Sequence, residues 1–239
     1  MPNALLSWIA ARRGYDLVRL EPAKHALVRR MALFRAHAVG LVFDVGANEG
    51  GYGAELRRMG FTGDLVSFEP VRAPFAELSR RAKGDGRWKV VNAGIGEASR
   101  EAVINVAGNK SLSSSLLPMM QRHVEGAPDS AYVGTETIRL ESLADAIAAH
   151  GSPGARLYVK LDVQGYERRI LEASTAALGG VAGVQLEMSM VPLYEGEALV
   201  EDMIALMRRL GFVLSSLEQG YCDERTGQML QVDGVFFRS

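Results

Sequence analysis

Short apolar runs alternate with helical segments along most of the chain, and this alternation constrains the fold more than any other feature of the sequence. Apolar runs of about five residues separated by amphipathic stretches are typical of βαβ units, which build a largely parallel sheet with helices on its faces. The main strands are predicted over residues 41–44, 65–68, 88–91, 157–161 and 184–187. Helices are predicted over residues 22–38, 51–59, 74–83, 141–150, 166–173 and 196–210.

The end of the chain departs from this alternation. Residues 212–217 and 229–237 both have the composition of strands, and only a polar loop joins them. A parallel return requires a crossover of roughly a dozen residues or more that usually includes a helix, so these two strands are predicted to be antiparallel. Minor strands are predicted over residues 103–106 and 137–140, around an irregular insert. The predicted fold class is therefore α/β, with a mostly parallel seven-stranded sheet that ends in a C-terminal antiparallel hairpin.

The length of 239 residues, with 48% hydrophobic and 23% charged residues, fits one α/β domain whose core needs no disulfides. We assign residues 39–239 to a single Rossmann-like domain and residues 1–38 to an extension of N-terminal helices. The first part of this extension contains an apolar run that is too short to span a bilayer, and no small-residue cleavage site follows it. Stable membrane insertion is therefore not expected, although docking on a membrane surface stays open.

Charge and cysteine content exclude several kinds of partner. The formal net charge is −1 and the sequence has no basic stripe, so a nucleic-acid partner is not expected. Cys222 is the single cysteine, so no internal disulfide can form. The lack of a disulfide framework fits a reducing compartment, and we expect a cytoplasmic protein. Assembly into a homo-oligomer stays open.

A glycine-rich turn follows the first predicted strand. Asp44 ends the strand, and Gly46, Asn48 and Gly50 follow it. Such a turn between a buried strand and a helix lets a ligand approach the backbone closely. Nicotinamide dinucleotides normally require a glycine where Asn48 stands, to bring a pyrophosphate onto the helix N-terminus. S-adenosylmethionine has no pyrophosphate but carries an ammonium and a sulfonium group, and the carboxylate of Asp44 suits that cation. The turn therefore favours S-adenosylmethionine as the cofactor.

An acidic residue ends the second predicted strand. Glu69 lies 25 residues after Asp44 and precedes Pro70, at a position that suits a carboxylate accepting both ribose hydroxyls. The alternative is an ordinary turn with a solvated glutamate. Asn92 ends the third strand, where it would border the adenine or form part of a simple turn. The predicted cofactor ligands are thus Asp44, Gly46, Asn48, Gly50, Glu69, Pro70, Asn92 and, after the fourth strand, Asp162.

Seven segments carry a resemblance to one protein family. They are VFDVGANEG (42–50), SFEP (67–70), SS (113–114), KLDVQGYE (160–167), QLE (185–187), PLY (192–194) and DGVF (233–236). In this order they resemble the FkbM-type S-adenosylmethionine-dependent methyltransferases. The resemblance implies a Rossmann-like class I methyltransferase fold and transfer of a methyl group from S-adenosylmethionine, usually to an oxygen of a sugar, polyketide or other specialised metabolite. Because the family is loosely defined by substrate, the acceptor is expected only to be a small molecule or glycan.

Charged residues interrupt the fourth strand at its carboxyl end. Lys160 and Asp162 point to the same face, because side chains alternate along a strand, and burying such charges is costly unless they are paired or used. Asp162 is a candidate for orienting the cofactor's amino end, accepting a proton or ligating a metal, and Lys160 for tuning it or stabilising an oxyanion. A purely structural Lys160–Asp162 pair is the alternative. Glu187, which ends the fifth strand, is predicted to contact the acceptor or to pair with an arginine. Glu167 is predicted either to serve the site or to favour a helix N-terminus.

The insert over residues 108–134 is long and polar, as lids and binding loops often are. Its His123 is a candidate general base, with a solvated surface histidine as the alternative. Asp162, Gln164 and Glu187 offer oxygen ligands to a divalent cation, but no dense cluster of carboxylates, histidines or cysteines accompanies them. No metal is therefore predicted.

Three functions compete at this point. The leading hypothesis is an O-methyltransferase that acts on a hydroxyl of a small molecule or glycan. A nicotinamide-dependent oxidoreductase is disfavoured by Asn48 and by the C-terminal hairpin. A non-catalytic S-adenosylmethionine-binding protein is disfavoured by the presence of Asp162 and Glu187. Calorimetry with S-adenosylmethionine and NAD separates the first two, and turnover with an acceptor separates the first from the third.

Overall fold

The structure of the protein is a computed structural model that describes residues 4–238. Its strands are β1 (Val39–Val45), β2 (Asp64–Phe68), β3 (Trp88–Val91), β4 (Gly94–Gly96), β5 (Arg100–Ala107), β6 (Tyr132–Ser142), β7 (Arg156–Leu161), β8 (Val181–Ser189), β9 (Phe212–Gln219) and β10 (Gln231–Arg238). Its α-helices are α1 (Ala4–Arg12), α2 (Ala26–Ala36), α3 (Gly51–Arg58), α4 (Arg72–Ala82), α5 (Gln121–Gly126), α6 (Leu143–His150), α7 (Glu167–Ala173), α8 (Thr175–Leu178) and α9 (Val200–Arg209).

The main sheet contains seven strands, in the order β3-β2-β1-β7-β8-β10-β9. The first five strands in this order, β3, β2, β1, β7 and β8, are parallel to one another. Strand β10 runs antiparallel to both of its neighbours, β8 and β9. The predicted mostly parallel seven-stranded sheet and its C-terminal antiparallel hairpin are confirmed. Strand β2 lies on one side of β1 and β7 lies on the other, so the strand order reverses at β1. In doubly wound sheets, ligands bind outside the carboxyl ends of the strands at such a reversal of strand order.

The central strands are apolar at nearly every position because both of their faces are covered. In β1, Phe43 and Val45 pack into the core on one face, together with α6, α7, α8 and α9. Val42 packs on the opposite face, with α2, α3 and α4. Since successive side chains of a strand point to opposite faces, a strand covered on both sides is a continuous apolar run.

Helix α2 belongs to this core although it precedes the first strand. The ring centroid of Phe34 lies 4.6 Å from that of Tyr158 and 5.6 Å from that of Phe61. The helix begins at Ala26 rather than at the predicted residue 22, because residues 22–24 form a turn. Packing on the sheet, and not only helical periodicity, therefore determines where α2 lies.

The rest of the predicted N-terminal extension is only partly helical. Helix α1 ends at Arg12, and residues 13–20 are not helical. The first three residues of the predicted extension lie outside the described residues. Within residues 4–238, no helix combines the length and the apolar character needed to cross a bilayer. The division of the chain into an extension and a domain at residue 38 stays a prediction.

Arg30 of α2 is buried, although the helical periodicity predicts that it is exposed. Periodicity predicts that Arg30 lies away from the apolar face formed by Met31 and Phe34. The structure instead leaves Arg30 only 4% exposed, in an ion pair with Glu218 of β9 and with its guanidinium 5.2 Å from the ring centroid of Tyr52. A buried charge is tolerated when it is paired in this way. Periodicity within one helix cannot reveal a partner 188 residues away.

A second sheet of three strands accompanies the main sheet, in the order β4-β6-β5. Strand β4 is parallel to β6, and β5 is antiparallel to it. Strands β5 and β6 contain the predicted minor strands, whereas β4 has three residues, too few for a strand period to show. Ile104, Ile138 and Leu140 of this sheet pack against Val71, which follows β2. The second sheet thereby forms a wall beside the carboxyl end of β2.

Like α2, helices α6 and α9 begin later than predicted. Helix α6 begins at Leu143 because residues 141–142 belong to β6, and the hydroxyl of Ser142 accepts the N–H of Asp145 at 3.1 Å as an N-cap. Helix α9 begins at Val200 rather than at residue 196.

Candidate functional site

A cleft opens at the carboxyl ends of β1, β2 and β7. Its empty space, including the mouth, is about 570 Å³, which is within the range of small-molecule sites. Its apolar end is lined by the second sheet and by residues after β2, namely Pro70, Val71, Ile95, Ile104, Ile138 and Leu140. Its polar end is lined by Gly46, Asn48, Glu69, Asp162 and Gln164.

Backbone N–H groups hold Glu69 from both sides. Its Oε1 accepts the N–H of Val71 and its Oε2 accepts the N–H of Asn48, each at 2.8 Å. Glu69 is 5% exposed, and burial raises its pKa to about 7. The alternative interpretation, a solvated glutamate, is therefore wrong. Each carboxylate oxygen keeps a free lone pair, so the group can accept hydrogen bonds from two adjacent hydroxyls. We call Asn48, Glu69 and Val71 the Glu69 cradle.

The glycines of the first turn serve packing as well as access. Gly46 has a φ of 75°, and a Cβ there would lie 1.9 Å from the carbonyl oxygen of Asp162. The close approach that requires this glycine is therefore made by the turn after β7, whereas the sequence suggested a ligand. A Cβ on Gly50, whose φ is 80°, would lie 2.7 Å from Cδ1 of Leu78 in α4. Gly50 thus leaves room for the side chain of Leu78 and does not line the cleft.

Asn48 joins the first turn to the insert. Its φ of 47° lies in the left-handed region, which asparagine adopts more readily than most residues. Its Nδ2 donates to the carbonyl oxygen of Lys110 at 3.0 Å, and the neighbouring Ser111, Leu112 and Ser114 line the cleft. The start of the insert therefore forms one wall of the cleft, as expected of a lid or binding loop.

Asn92 lies outside the cleft lining, although the sequence placed it beside a cofactor. Its Nδ2 donates to the carbonyl oxygens of Glu69 at 2.9 Å and of Pro70 at 3.1 Å. Asn92 thereby holds the turn after β2 in shape, whereas Pro70 itself lines the cleft.

The ammonium group of Lys160 lies between two carboxylates. Its Nζ is 3.1 Å from Oδ2 of Asp162 and 3.5 Å from Oδ1 of Asp44. The prediction that Lys160 and Asp162 share one face is confirmed by this contact. Burial works against the charge of Lys160, but the two carboxylates outweigh it and hold its pKa above the ordinary value. Lys160 therefore stays charged and acts on its neighbours through that charge.

Asp44 is fully buried beneath the first turn. The hydroxyl of Ser67 donates to its Oδ2 at 3.2 Å, and burial raises the pKa of Asp44 although Lys160 opposes this. Asp44 does not line the cleft, whereas Asp162, whose side chain is 31% exposed, does. The structure thus makes Asp44 a counter-ion of Lys160 and brings Asp162 to the cleft surface.

A single amide joins Asp162 to Glu187. The Nε2 of Gln164 donates to Oδ1 of Asp162 at 2.9 Å and to Oε2 of Glu187 at 2.5 Å, and Nε2 of Gln231 donates to the same oxygen of Glu187 at 2.8 Å. Burial raises the pKa of Glu187 well above its ordinary value, and the nearby carboxylates of Asp162 and Asp233 raise it further. We call Asp162 and Glu187 the carboxylate pair.

The donors around the carboxylate pair bear on the question of a metal. Among the described residues, no group of three or more histidine, cysteine, aspartate or glutamate side chains has an arrangement that could hold a metal ion. The Nε2 of Gln164 occupies the space between the two carboxylates, where a shared cation would otherwise lie. The chain's own hydrogen-bond donors therefore satisfy the pair.

Two further candidates, Glu167 and His123, are buried and do not line the cleft. Glu167 begins α7, and its Oε1 accepts the N–H of Val163 at 2.8 Å, while burial raises its pKa to about 8. His123 is only 3% exposed, with Nε2 3.3 Å from Oγ of Ser113, so the alternative of a solvated surface histidine is wrong. Burial lowers the pKa of His123 to about 4, and the residue does not line the cleft.

Sequence reasoning missed two residues around the carboxylate pair, Gln231, which donates to Glu187, and Tyr194. Tyr194, fully buried in the loop after β8, donates its hydroxyl to Oε1 of Gln164 at 2.6 Å. In the sequence it contributed only to the family resemblance. Its spacing from Gln164 follows no helical or strand period, so no local signal could have joined the two residues.

The comparison with protein families agrees with this geometry. A family model described as "Methyltransferase FkbM domain" matches residues 44–214, which is most of the chain. The chain belongs to the FkbM methyltransferase family and is an S-adenosylmethionine-dependent methyltransferase. A search of curated proteins finds no match.

Several solved structures are similar to the chain at low sequence identity. A protein from Listeria monocytogenes serotype 4b is 10% identical, with a TM-score of 0.46 over 88% of this chain and 67% of that one. A protein of the NADB-Rossmann superfamily from Streptococcus agalactiae is 11% identical, with a TM-score of 0.43 over 84% of this chain and 62% of that one. Sp1610 of Streptococcus pneumoniae, solved in complex with S-adenosyl-L-methionine, is 14% identical, with a TM-score of 0.47 over 88% of this chain and 72% of that one. This chain thus spans about two thirds of the length of the first two proteins.

Proposed function

We propose that the protein transfers the methyl group of S-adenosylmethionine to a hydroxyl oxygen of a small molecule or glycan. The observation that carries this proposal is the carboxylate pair. Asp162 and Gln164 line the cleft, and the amide of Gln164 joins Asp162 to Glu187, which does not line it. A hydroxyl is a weak nucleophile until a base removes its proton, and a carboxylate with a raised pKa is a better proton acceptor than an ordinary one. Glu187 has such a pKa.

The lining of the cleft fits the parts of the cofactor. The Glu69 cradle would accept the two ribose hydroxyls, and the apolar wall that includes Val71 and Ile95 would contact the adenine. Asp162 offers a partly exposed carboxylate to the ammonium group of the methionine part. When bound, the cofactor supplies a methyl group on a sulfonium, so the protein needs to provide only alignment and a base.

The two carboxylates would divide the work between them. Asp162 accepts hydrogen bonds from Lys160 and Gln164, so its charge is fixed in place at the cleft surface. Glu187 would accept the proton of the hydroxyl, because its raised pKa favours that transfer and two amides stabilise its charged form. Lys160 would limit the repulsion between the carboxylates through its permanent positive charge.

The proposal is tested by the chemical nature of the product. Protein and S-adenosylmethionine labelled in the methyl group are incubated with phenols, sugars and polyols, each beside its deoxy counterpart and beside matched amines and carboxylic acids. We expect label only in hydroxyl-bearing compounds, as a methyl ether that survives alkali. Label that appears only as an alkali-labile ester, or only on nitrogen, contradicts the proposal.

Two expectations about the surroundings of the enzyme accompany this proposal. One is a cytoplasmic location, since a single cysteine, Cys222, allows no internal disulfide and fits a reducing compartment; the other is that the chain can assemble into a homo-oligomer. Fractionation and size-exclusion chromatography with light scattering test these two expectations directly.

A further inference from the structure

The turn that carries Gln164 is held from two sides. Gln164 has a φ of 56°, which is rare for a residue with a side chain and persists only where surrounding contacts enforce it. The hydroxyl of Ser115 donates to the carbonyl oxygen of Gln164 at 2.7 Å. On the other side, a Cβ on Gly165 would lie 3.1 Å from Cβ of Tyr194, so the next residue of the turn is pressed against that side chain.

The amide of Gln164 has a defined orientation. Its Nε2 faces the carboxylates of Asp162 and Glu187, which accept hydrogen bonds, and its Oε1 accepts the hydroxyl proton of Tyr194 at 2.6 Å. An amide rotated by half a turn would set its oxygen against two carboxylates. Burial keeps the pKa of Tyr194 above its ordinary value, so the phenol stays protonated and remains a donor.

Three segments fix the position of Tyr194. The carboxylate of Glu197 accepts the backbone N–H groups of Leu193 and of Tyr194, the latter at 2.9 Å, and the hydroxyl of Ser189 donates to it at 2.7 Å. The Tyr194 hydroxyl also lies 3.3 Å from the carbonyl oxygen of Ser113 in the insert. The phenol is therefore a rigid donor between the insert and the Gln164 amide.

We propose that Tyr194 is a positioning residue: its hydroxyl sets the orientation of the Gln164 amide, and that amide holds Asp162 and Glu187 in their working arrangement. The proposal rests on the proposed function in one respect, that the carboxylate pair serves methyl transfer. Tyr194 itself touches neither Asp162 nor Glu187 through a hydrogen bond among the described residues, so it acts through Gln164.

The test removes one hydroxyl at a time from the full-length protein. Tyr194→Phe deletes the donor to Gln164. Tyr221→Phe is the matched control, because Tyr221 lies in the same aromatic cluster, stacked on His123 at 6.0 Å, and its hydroxyl has no hydrogen-bond partner within residues 4–238. The readouts are the side-chain NH₂ signals of Gln164 and the pH titration of the Glu187 carboxyl, both followed by NMR.

We expect Tyr194→Phe to shift or broaden the Gln164 NH₂ signals and to raise the titration midpoint of Glu187 by about one unit, the scale set by one hydrogen bond to a charged group. The other ionisable groups around Glu187 are Asp162, Asp233, Glu167 and Lys160, and all of them are the same in both variants. Tyr221→Phe should leave both readouts unchanged. A purely structural role for Tyr194 would lower stability without moving the Glu187 midpoint.

A second variant makes the test independent of the stability of Tyr194→Phe. Gln164→Met removes the shared donor, so it should itself raise the Glu187 midpoint, and Tyr194→Phe should then add no further shift. An unchanged midpoint in Gln164→Met, or an equal effect of Tyr194→Phe in both backgrounds, overturns the proposal. Neither readout uses an acceptor, so a failure to methylate hydroxyls would be recognised separately.

Discussion

The Glu69 cradle and the carboxylate pair lie in the same region of the molecule but are built in different ways. The cradle is assembled from two turns, each within a few residues of a strand end, and backbone N–H groups satisfy its carboxylate. The carboxylate pair draws on the turn after β7, on β8 and on β10, and side-chain amides satisfy it. Backbone donors remain when side chains change, whereas side-chain donors do not.

This difference separates what the fold provides from what particular side chains provide. A cofactor shared by a whole family can be held largely by strand ends and backbone, which persist as long as the sheet folds. An acceptor that differs between family members requires groups that single substitutions can alter. The cradle is therefore expected to govern cofactor affinity and Glu187 to govern turnover, whereas Asp162 is expected to contribute to both.

The largest effect is expected where the two regions touch. Gly46→Ala should cost more than about 3 kcal/mol of unfolding free energy, because it adds strain at positive φ and a clash with the carbonyl oxygen of Asp162. Gly60→Ala is the control, since Gly60 also has a positive φ, 88°, but no atom within 4 Å of the added Cβ, and should cost about 1–2 kcal/mol. Urea unfolding of both variants checks this, and equal losses would show that the contact with Asp162 contributes nothing.

Asp162→Asn should lower the rate of methyl transfer by about 10²-fold or more while the protein stays folded. The substitution keeps the shape of the side chain but removes the charge that Lys160 and Gln164 hold in place. Kinetics normalised to folded protein, with Asp129→Asn on the surface as control, measure the loss. EDTA should not change the wild-type rate. If Asp162 only neutralises Lys160, the melting temperature falls and turnover per folded molecule is preserved.

Glu69→Ala should weaken binding of S-adenosylhomocysteine by about 1.5–3 kcal/mol, on the order of 10- to 100-fold in affinity. The reason is the loss of the carboxylate that is positioned to accept two hydroxyls. Titration calorimetry measures the affinity, and Glu101→Gln, at an exposed glutamate in β5, is the control. A change of less than about threefold in a folded protein removes Glu69 from the cofactor site.

A smaller effect is expected from pH. Since the pKa of Glu69 is about 7, its charged form grows between pH 6 and pH 8, and affinity for S-adenosylhomocysteine should rise by up to about tenfold over that range. The raised pKa of Glu69 has the opposite effect on folding stability, which falls as pH rises. The stability contribution of Glu69 is full below its ordinary pKa of 4.5 and is lost as pH rises through about 7. In Glu69→Gln the pH dependence of binding should become flat; an equally steep curve assigns it to another group.

Much of the fold and the cradle could be predicted from the sequence because the signals are local. Each main strand is a continuous apolar run, and Glu69, the carboxylate of the cradle, is an acidic residue directly after a strand end. Asp44 was found by the same signal, but the structure makes it a buried counter-ion of Lys160. The reason for Gly46 could not be predicted, since the atom that excludes a side chain belongs to Asp162, more than a hundred residues away. Local pattern thus finds the position of a glycine without finding its cause.

The carboxylate pair was only partly predictable. Asp162 and Glu187 stand out as charges at the ends of apolar strands, but the residues that hold them do not. Ser115 and Tyr194 meet Gln164 across 49 and 30 residues of chain. Burial of His123 likewise depends on the loop after β8, and the three-residue strand β4 depends on pairing with β6. Contacts of this kind arise from tertiary packing, and no periodicity records them.

The division of labour between the cradle and the carboxylate pair is tested most directly in Glu187→Gln. The measurement compares the rate constant of methyl transfer at saturating S-adenosylmethionine with the dissociation constant of S-adenosylhomocysteine in the same protein. We expect a loss of about 10²-fold or more in the rate constant, because the proton acceptor is removed, and a dissociation constant within about threefold of wild type. Weakened binding with a near-normal rate constant would contradict it.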